Sequence, residues 1–179
     1  MAQGSVVIGF EVALSDVDRG VYEALSFKVA QHPSETPVYL VTRVLAYALQ
    51  HADGIEFAAA ATGDVPALAV HDGTGRIRRW IEIGTPDGPR LHRASKASDS
   101  VVVYCHKDPG PWLRGLAGAS VHASDRIELY RLDPAFVDAV AATLERRNTW
   151  ALSVTEGALY LDVAGETRVG AVERLLWPQ

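Results

Sequence analysis

Apolar and polar positions alternate with period two at both ends of the chain and follow a helical period in several stretches between them. Residues 5–14 (SVVIGFEVAL) and 20–30 (GVYEALSFKVA), joined by the polar turn at 15–19, predict an opening β-hairpin. His32-Pro33-Ser34-Glu35-Thr36-Pro37 breaks the strand, with Ser34 the expected N-cap of a helix running to about Asp53. Val38, Val41, Leu45, Ala48 and Leu49 form its apolar stripe, and Gly54 ends it. Three short strands are predicted near 55–61, 66–71 and 76–83, the last two joined by the turn Asp72-Gly73-Thr74-Gly75. Asp87 and Gly88-Pro89 open a helix over 88–98, followed by a buried strand at 101–106. A short helix at 110–117, a strand at 126–131 and a helix at 134–147 come next. Strands at 149–155, 158–163 and 167–175 close the chain.

Helices interleaved with strands, bracketed by hairpins at both ends, predict an α/β (α+β mixed) fold. A mixed sheet is flanked by helices, and additional N- and C-terminal strands form an extra layer. One domain over 1–179 is expected, with an N-terminal hairpin at 1–31, a core at 34–147 and C-terminal strands at 148–179. At 179 residues the chain is long enough to bury a sizeable core, and 48% hydrophobic with 22% charged residues is an ordinary globular composition.

No apolar run approaches the roughly 20 residues that span a bilayer, and the first residues lack a signal-peptide pattern. The single cysteine, Cys105, follows the apolar run Val101-Val102-Val103-Tyr104. It is expected to be a buried, inert thiol in a cytoplasmic protein that has no membrane association. The net charge of −5 argues against a general nucleic-acid coat, but it is unevenly spread. Residues 76–114 hold eight Lys/Arg against four acids, a balance of +4, while the rest of the chain carries −9. Such a segment can attract nucleic-acid phosphate; the competing reading is a set of solvated strand and helix faces.

One cysteine and six scattered histidines offer no zinc spacing. Neither a G-x-S-x-G elbow nor a phosphate-binding glycine loop is present. The distinctive stretch is Arg79-Trp80-Ile81-Glu82-Ile83-Gly84-Thr85-Pro86-Asp87, which places a carboxylate inside an apolar strand where it demands a partner or a metal. With the hairpin turn centred between Gly73 and Thr74, Asp64 lies opposite Ile83 and diagonal to Glu82. Two converging carboxylates suit Mg²⁺ or Mn²⁺. Against this, Asp64 taken alone reads first as an ordinary loop residue, and Glu82 has a competing reading as the ion-pair partner of Arg43, Arg93 or Lys96. Trp80 shares the Glu82 face, where it can stack on a base or pack under a helix. His32 is expected to make a structural hydrogen bond.

Helix, three-stranded meander, helix, strand, with acids on the second and third strands, resembles the PD-(D/E)xK nuclease core. More closely, the chain resembles the YaeQ family. The matching residues are His32-Pro33-Ser34-Glu35-Thr36, Arg43-x-Leu45-Ala46-x-Ala48-Leu49, Asp64-x-Pro66, Trp80-Ile81-Glu82-x-Gly84-x-Pro86-Asp87, and Arg90-x-x-Arg93-Ala94 with Val101-Val102-Val103-Tyr104. Asp18-Arg19 and the C-terminal strands fit as well.

The resemblance implies a restriction-endonuclease-like core in which Asp64 and Glu82 are the motif acids. Glu35 is implied as the helix carboxylate that joins them at the metal; its alternative role is to complement the helix dipole. Gly84 stands where a typical nuclease of this type has lysine. The family's lysine belongs to the next helix, at the position of Arg93, with Lys96 one turn on. Arg93 and Lys96 are implied to stabilise charge on a phosphate, and of the two only Lys96 can help activate water. Arg43, Arg90 and Trp80 are expected against the substrate. The function implied is a Mg²⁺- or Mn²⁺-dependent nuclease or phosphodiesterase acting on DNA or RNA. The alternatives are an inactive nuclease-fold protein that binds nucleic acid or regulates, and an enzyme acting on a phosphorylated small molecule.

Overall fold

A computed structural model describes residues 4–58 and 63–179. Its strands are β1 (Val6–Asp16), β2 (Val21–Gln31), β3 (Ile55–Phe57), β4 (Leu68–His71), β5 (Ile77–Ile83), β6 (Ser100–Cys105), β7 (Ile127–Leu132), β8 (Arg147–Thr155), β9 (Ala158–Val163) and β10 (Glu166–Leu175). The helices are α1 (Pro37–Leu49), α2 (Gly88–Ala97), α3 (Gly110–Leu116) and α4 (Pro134–Ala141). Among the described residues, no helix is long and apolar enough to cross a membrane. The end of the third expected strand, residues 59–61, lies outside the described residues.

The chain is described as two compact units: residues 1–41 with 133–172, and residues 42–132 with 173–179. The expected terminal strands fall together in the first unit, joined by α4. There, β1 pairs antiparallel with β2 from Val6↔Gln31 to Asp16↔Val21 and parallel with β8 from Gly9↔Arg147 to Asp16↔Val154. β8, β9 and β10 continue as an antiparallel meander. Ile8, Phe10, Val12 and Leu14 of β1 are buried, as are Trp150, Leu152 and Val154 of β8, so each strand turns one face inward at period two. Phe10 stacks on Phe27 and meets Trp150 edge-on. Asp18 accepts hydrogen bonds from the Glu156 and Gly157 amides at 2.7 and 3.0 Å, tying the β1–β2 turn to the β8–β9 turn.

Two expected helices are shorter than their apolar patterns. Ser34 does not cap α1, because its hydroxyl bonds His32 Nδ1 at 2.7 Å. Thr36 caps instead, accepting from the Tyr39 amide at 3.1 Å, and Pro37 opens the helix with its φ preset. α4 stops at Ala141 rather than near 147. Buried Asn148 accepts from the Glu145 amide and donates to the Glu145 and Gly9 carbonyls, closing a turn that leads into β8.

In the second unit, β3, β4 and β5 form an antiparallel meander, and β6 and β7 run parallel to β5 in the spatial order β7-β6-β5-β4-β3. β6 is the central strand, and Val101 through Cys105 are all at most 2% exposed. Helices cross over between parallel strands and cover them, which is why this strand reads as an unbroken apolar run. Trp80, Leu91, Ala94, Val101, Val103, Trp112 and Leu129 belong to one core cluster, drawn from β5, α2, β6, α3 and β7. On the other β6 positions, the Tyr104 hydroxyl accepts from Gln50 Nε2 at 2.7 Å, and the Tyr104 ring stacks on Tyr130.

The β4–β5 hairpin does not have the expected register. Leu68 faces Ile81, Ala69 faces Trp80 and Val70 faces Arg79, but His71 faces Ile77. Arg78 is therefore the extra residue of a bulge, which shifts the pairing by one, and the turn closed by Asp72 and Arg76 supplies a second shift of one from the expected centre. Asp72 makes the turn, accepting from the Thr74 amide, the Thr74 hydroxyl and the Arg76 amide. The Thr74 bonds lead in holding its carboxyl below the usual range.

Candidate functional site

Period-two geometry on β5 puts Trp80 and Glu82 on one face, beneath the start of α2. Asp87 caps that helix, accepting from the Arg90 amide at 2.9 Å, and Pro89 lies in its first turn. The cap sets the helix phase, so that Gly88, Leu91, Ala94 and Ser95 face inward. Arg90 sits at the margin of this buried face and turns back over the end of β5. Its Nε donates to Glu82 Oε1 at 2.8 Å, and Trp80 Nε1 donates to the same oxygen at 2.6 Å. The two guanidinium Nη atoms reach the loop before β4, donating to the Gly63 carbonyl and, at 3.0 Å, to the Val65 carbonyl.

Glu82 is thus a buried carboxylate, its side chain 5% exposed, with a cation and an indole N–H on one oxygen. Burial pushes its carboxyl pKa above the ordinary value, and the bonds from Trp80 and Arg90 pull it back only in part. The partner is Arg90, not Arg43, Arg93 or Lys96. Removing one member of such a pair leaves the other charge uncompensated in a poorly solvated place.

The other expected site residues are distributed differently. Asp64 is exposed on the loop between the two carbonyls that Arg90 holds. The expected pairing of Asp64 with Ile83 does not form, because β4 begins only at Leu68 and the bulge shifts the register. Trp80 is 6% exposed within the core cluster, and its N–H is taken by Glu82, so it offers no face to a base. Arg43 is also buried, its guanidinium 5.8 Å from the centre of the Phe57 ring, away from the solvent that a polymer substrate would occupy. Arg90, expected at the substrate, instead binds the protein. Glu35 lies before α1 in the first unit, half-buried, and precedes the cap residue rather than entering the first helical turn.

Gly84 explains the missing lysine. Its φ is +99°, a conformation that a lysine adopts only with strain, and it carries the chain from β5 toward α2. A Glu-x-Lys element therefore conflicts with this backbone. Arg93 and Lys96 are exposed on α2 and form no ion pair among the described residues.

The basic excess of residues 76–114 is partly consumed within the fold. Arg76 and Arg78 both pair with Asp99, and Arg79 donates to Gln50 Oε1 at 2.7 Å. That leaves Arg93, Lys96, Lys107 and Arg114 as exposed cations with no ion pair among the described residues. A groove of about 820 Å³ opens beside Arg78, Arg79 and Ser100, and a smaller one of about 430 Å³ beside Thr85, Asp87, Lys107 and Asp108. Neither is lined by Glu82 or Asp64.

A divalent ion does not fit this arrangement as it stands. The Glu82 oxygen facing the loop already holds a guanidinium, and among the described residues no three His, Cys, Asp or Glu side chains gather to hold a metal. Cys105 is buried, exchanging hydrogen bonds with the Lys107 backbone, and burial pushes its thiol pKa up, away from reactivity.

Fold and site together define a mixed α/β protein in which a helix arginine neutralises a strand-borne acid. The chain belongs to the YaeQ family, whose family model, described as YaeQ protein, matches residues 1–170. It is 26% identical over 165 residues to the uncharacterised YaeQ protein of Escherichia coli (strain K12), covering 90% of each chain. To the Salmonella typhi YaeQ protein it is 23% identical over 168 residues, covering 92% of each. Among solved structures it is similar to YaeQ protein from Pseudomonas syringae (TM-score 0.86, 25% identity, 96% of each chain covered). It is likewise similar to YaeQ protein from Xanthomonas axonopodis pv. citri (TM-score 0.85, 28% identity, 97% of this chain and 99% of that one).

Proposed function

We propose that this YaeQ-family protein is a cytoplasmic PD-(D/E)xK-type fold that binds nucleic-acid phosphate without hydrolysing it. The observation that carries the reading is the capture of Glu82 Oε1 by Arg90 and Trp80, which puts the acid of the second motif into a structural pair. The element order α1, β3–β4–β5, α2, β6 supports the fold assignment. Arg93 and Lys96 on α2, with Lys107 and Arg114, supply the positive charge that a phosphate backbone meets.

The four exposed cations of residues 76–114 set the scale of such binding. If all four meet phosphate, fluorescence anisotropy with labelled DNA and RNA oligonucleotides is expected to show log affinity falling with log salt at a slope of about −3.6 on duplex and about −2.8 on single strands. Replacing both Arg93 and Lys96 by alanine should flatten the slope by about 2. The oligonucleotides should stay intact in Mg²⁺ and in Mn²⁺. Absence of binding at low salt would remove this reading. Cleavage abolished in a folded Glu82→Gln protein would install the second one, a Mg²⁺- or Mn²⁺-dependent phosphodiesterase. One observation favours that second reading: the same guanidinium ties the loop that bears Asp64 to Glu82, keeping both motif acids in one neighbourhood.

A further inference from the structure

We propose that the Arg90 guanidinium stands in the place of a divalent cation, so that the side chain and a metal ion compete for the same oxygens. The proposal deepens the non-hydrolytic reading, since it names what fills the metal's position, and it rests on that reading of the fold.

Three oxygens converge on this one positive group: Glu82 Oε1 at 2.8 Å, the Val65 carbonyl at 3.0 Å and the Gly63 carbonyl. A carboxylate and two peptide carbonyls are hard oxygen donors, the kind that Mg²⁺ and Mn²⁺ take up with waters completing the shell. Asp64 lies between the two carbonyl donors in sequence and is exposed on the same loop, a second carboxylate within the segment that would close on an ion. The fold instead supplies a cation from α2, and arginine keeps its charge at every pH a protein survives. Each of its three nitrogen positions has a protein oxygen. The Asp87 cap fixes the helix from which it reaches. A doubly charged ion placed beside this guanidinium would meet like charge in a partly buried site, so the two occupants exclude each other.

The test is Mn²⁺ titration, with free Mn²⁺ followed by electron paramagnetic resonance, on the full chain, Arg90→Ala, and Arg90→Ala/Glu82→Gln. Arg90→Ala is expected to bind one Mn²⁺ per chain at least about tenfold more tightly than the unaltered protein. The double variant should lose that gain. Because Arg90→Ala is expected to be less stable, thermal unfolding is measured in parallel: Mn²⁺ should raise its midpoint, or restore its near-ultraviolet dichroism, and leave the unaltered protein unchanged.

Equal Mn²⁺ affinity in the unaltered protein and a folded Arg90→Ala overturns the proposal. So does a gain that survives Glu82→Gln, or an unfolded Arg90→Ala that Mn²⁺ does not restore. These readouts involve no oligonucleotide. Failure to bind nucleic acid therefore sinks the functional reading while leaving the cation result standing, and the reverse holds for a failed Mn²⁺ titration.

Discussion

Arg90→Met lowers stability by about 3–5 kcal/mol at neutral pH, the range for leaving one member of a buried ion pair without its partner. The Arg90 side chain is 26% exposed and Glu82 only 5%, so the uncompensated charge is the better-buried one. The loss is pH-dependent, and its sign follows from Glu82. Its carboxyl pKa is raised above the ordinary 4.5, chiefly by burial, and Arg90 is among the groups pulling it down. A carboxyl with a raised folded pKa holds its proton more tightly in the native state. Stability therefore rises as pH falls from the folded pKa toward 4.5, and it is lowest above the folded value.

Removing Arg90 widens that window, so the deficit of Arg90→Met is greatest at pH 7–8 and shrinks on acidification. Urea unfolding of both proteins across pH 4.5–8 measures it. Glu82→Gln/Arg90→Met should recover most of the loss, because the amide oxygen still accepts the Trp80 N–H without carrying charge. A deficit equal at both ends of the pH range would mean that the carboxyl is not its source.

The second large effect comes from backbone. Gly54→Ala is expected to cost about 3 kcal/mol or more, combining left-handed strain of about 1–2 kcal/mol with a steric clash. At φ +84°, a Cβ on Gly54 would lie 2.2 Å from the His71 carbonyl oxygen. The approach cannot relax cheaply, because the His71 amide donates to the Gly54 carbonyl at 2.9 Å and holds the two strand ends together. Gly75 is a matched control, having the same φ of +84° but nothing within 4 Å of its Cβ position. Gly75→Ala should show the strain alone, about 1–2 kcal/mol. Denaturant midpoints that fall equally in the two variants would show that the His71 contact relaxes.

What was legible in the chain was local. The Asp72 turn, the Asp87 cap and the apolar run of β6 each declare themselves within a few residues, and each forms where expected. The site was less legible because its decisive features are not local. The bulge at Arg78 and the turn each shift the pairing by one without changing the pattern of residue types, and β4 begins only at Leu68, which leaves Asp64 in the loop. Arg90 carries no sign that it faces inward until the Asp87 cap sets the phase of α2. The carbonyls of Gly63 and Val65 have no signature at all, since every residue has one. The parallel pairing of β1 with β8 was hidden for a similar reason, since the two strands lie more than a hundred residues apart.

Cys105 carries a practical consequence. It is the chain's single thiol, fully buried at the end of the central strand of the second unit. A thiol reagent can reach it only when that strand is uncovered, so labelling under native conditions acts as a stopwatch for the opening of this unit alone. The first unit, which has no cysteine, stays silent in the same reaction.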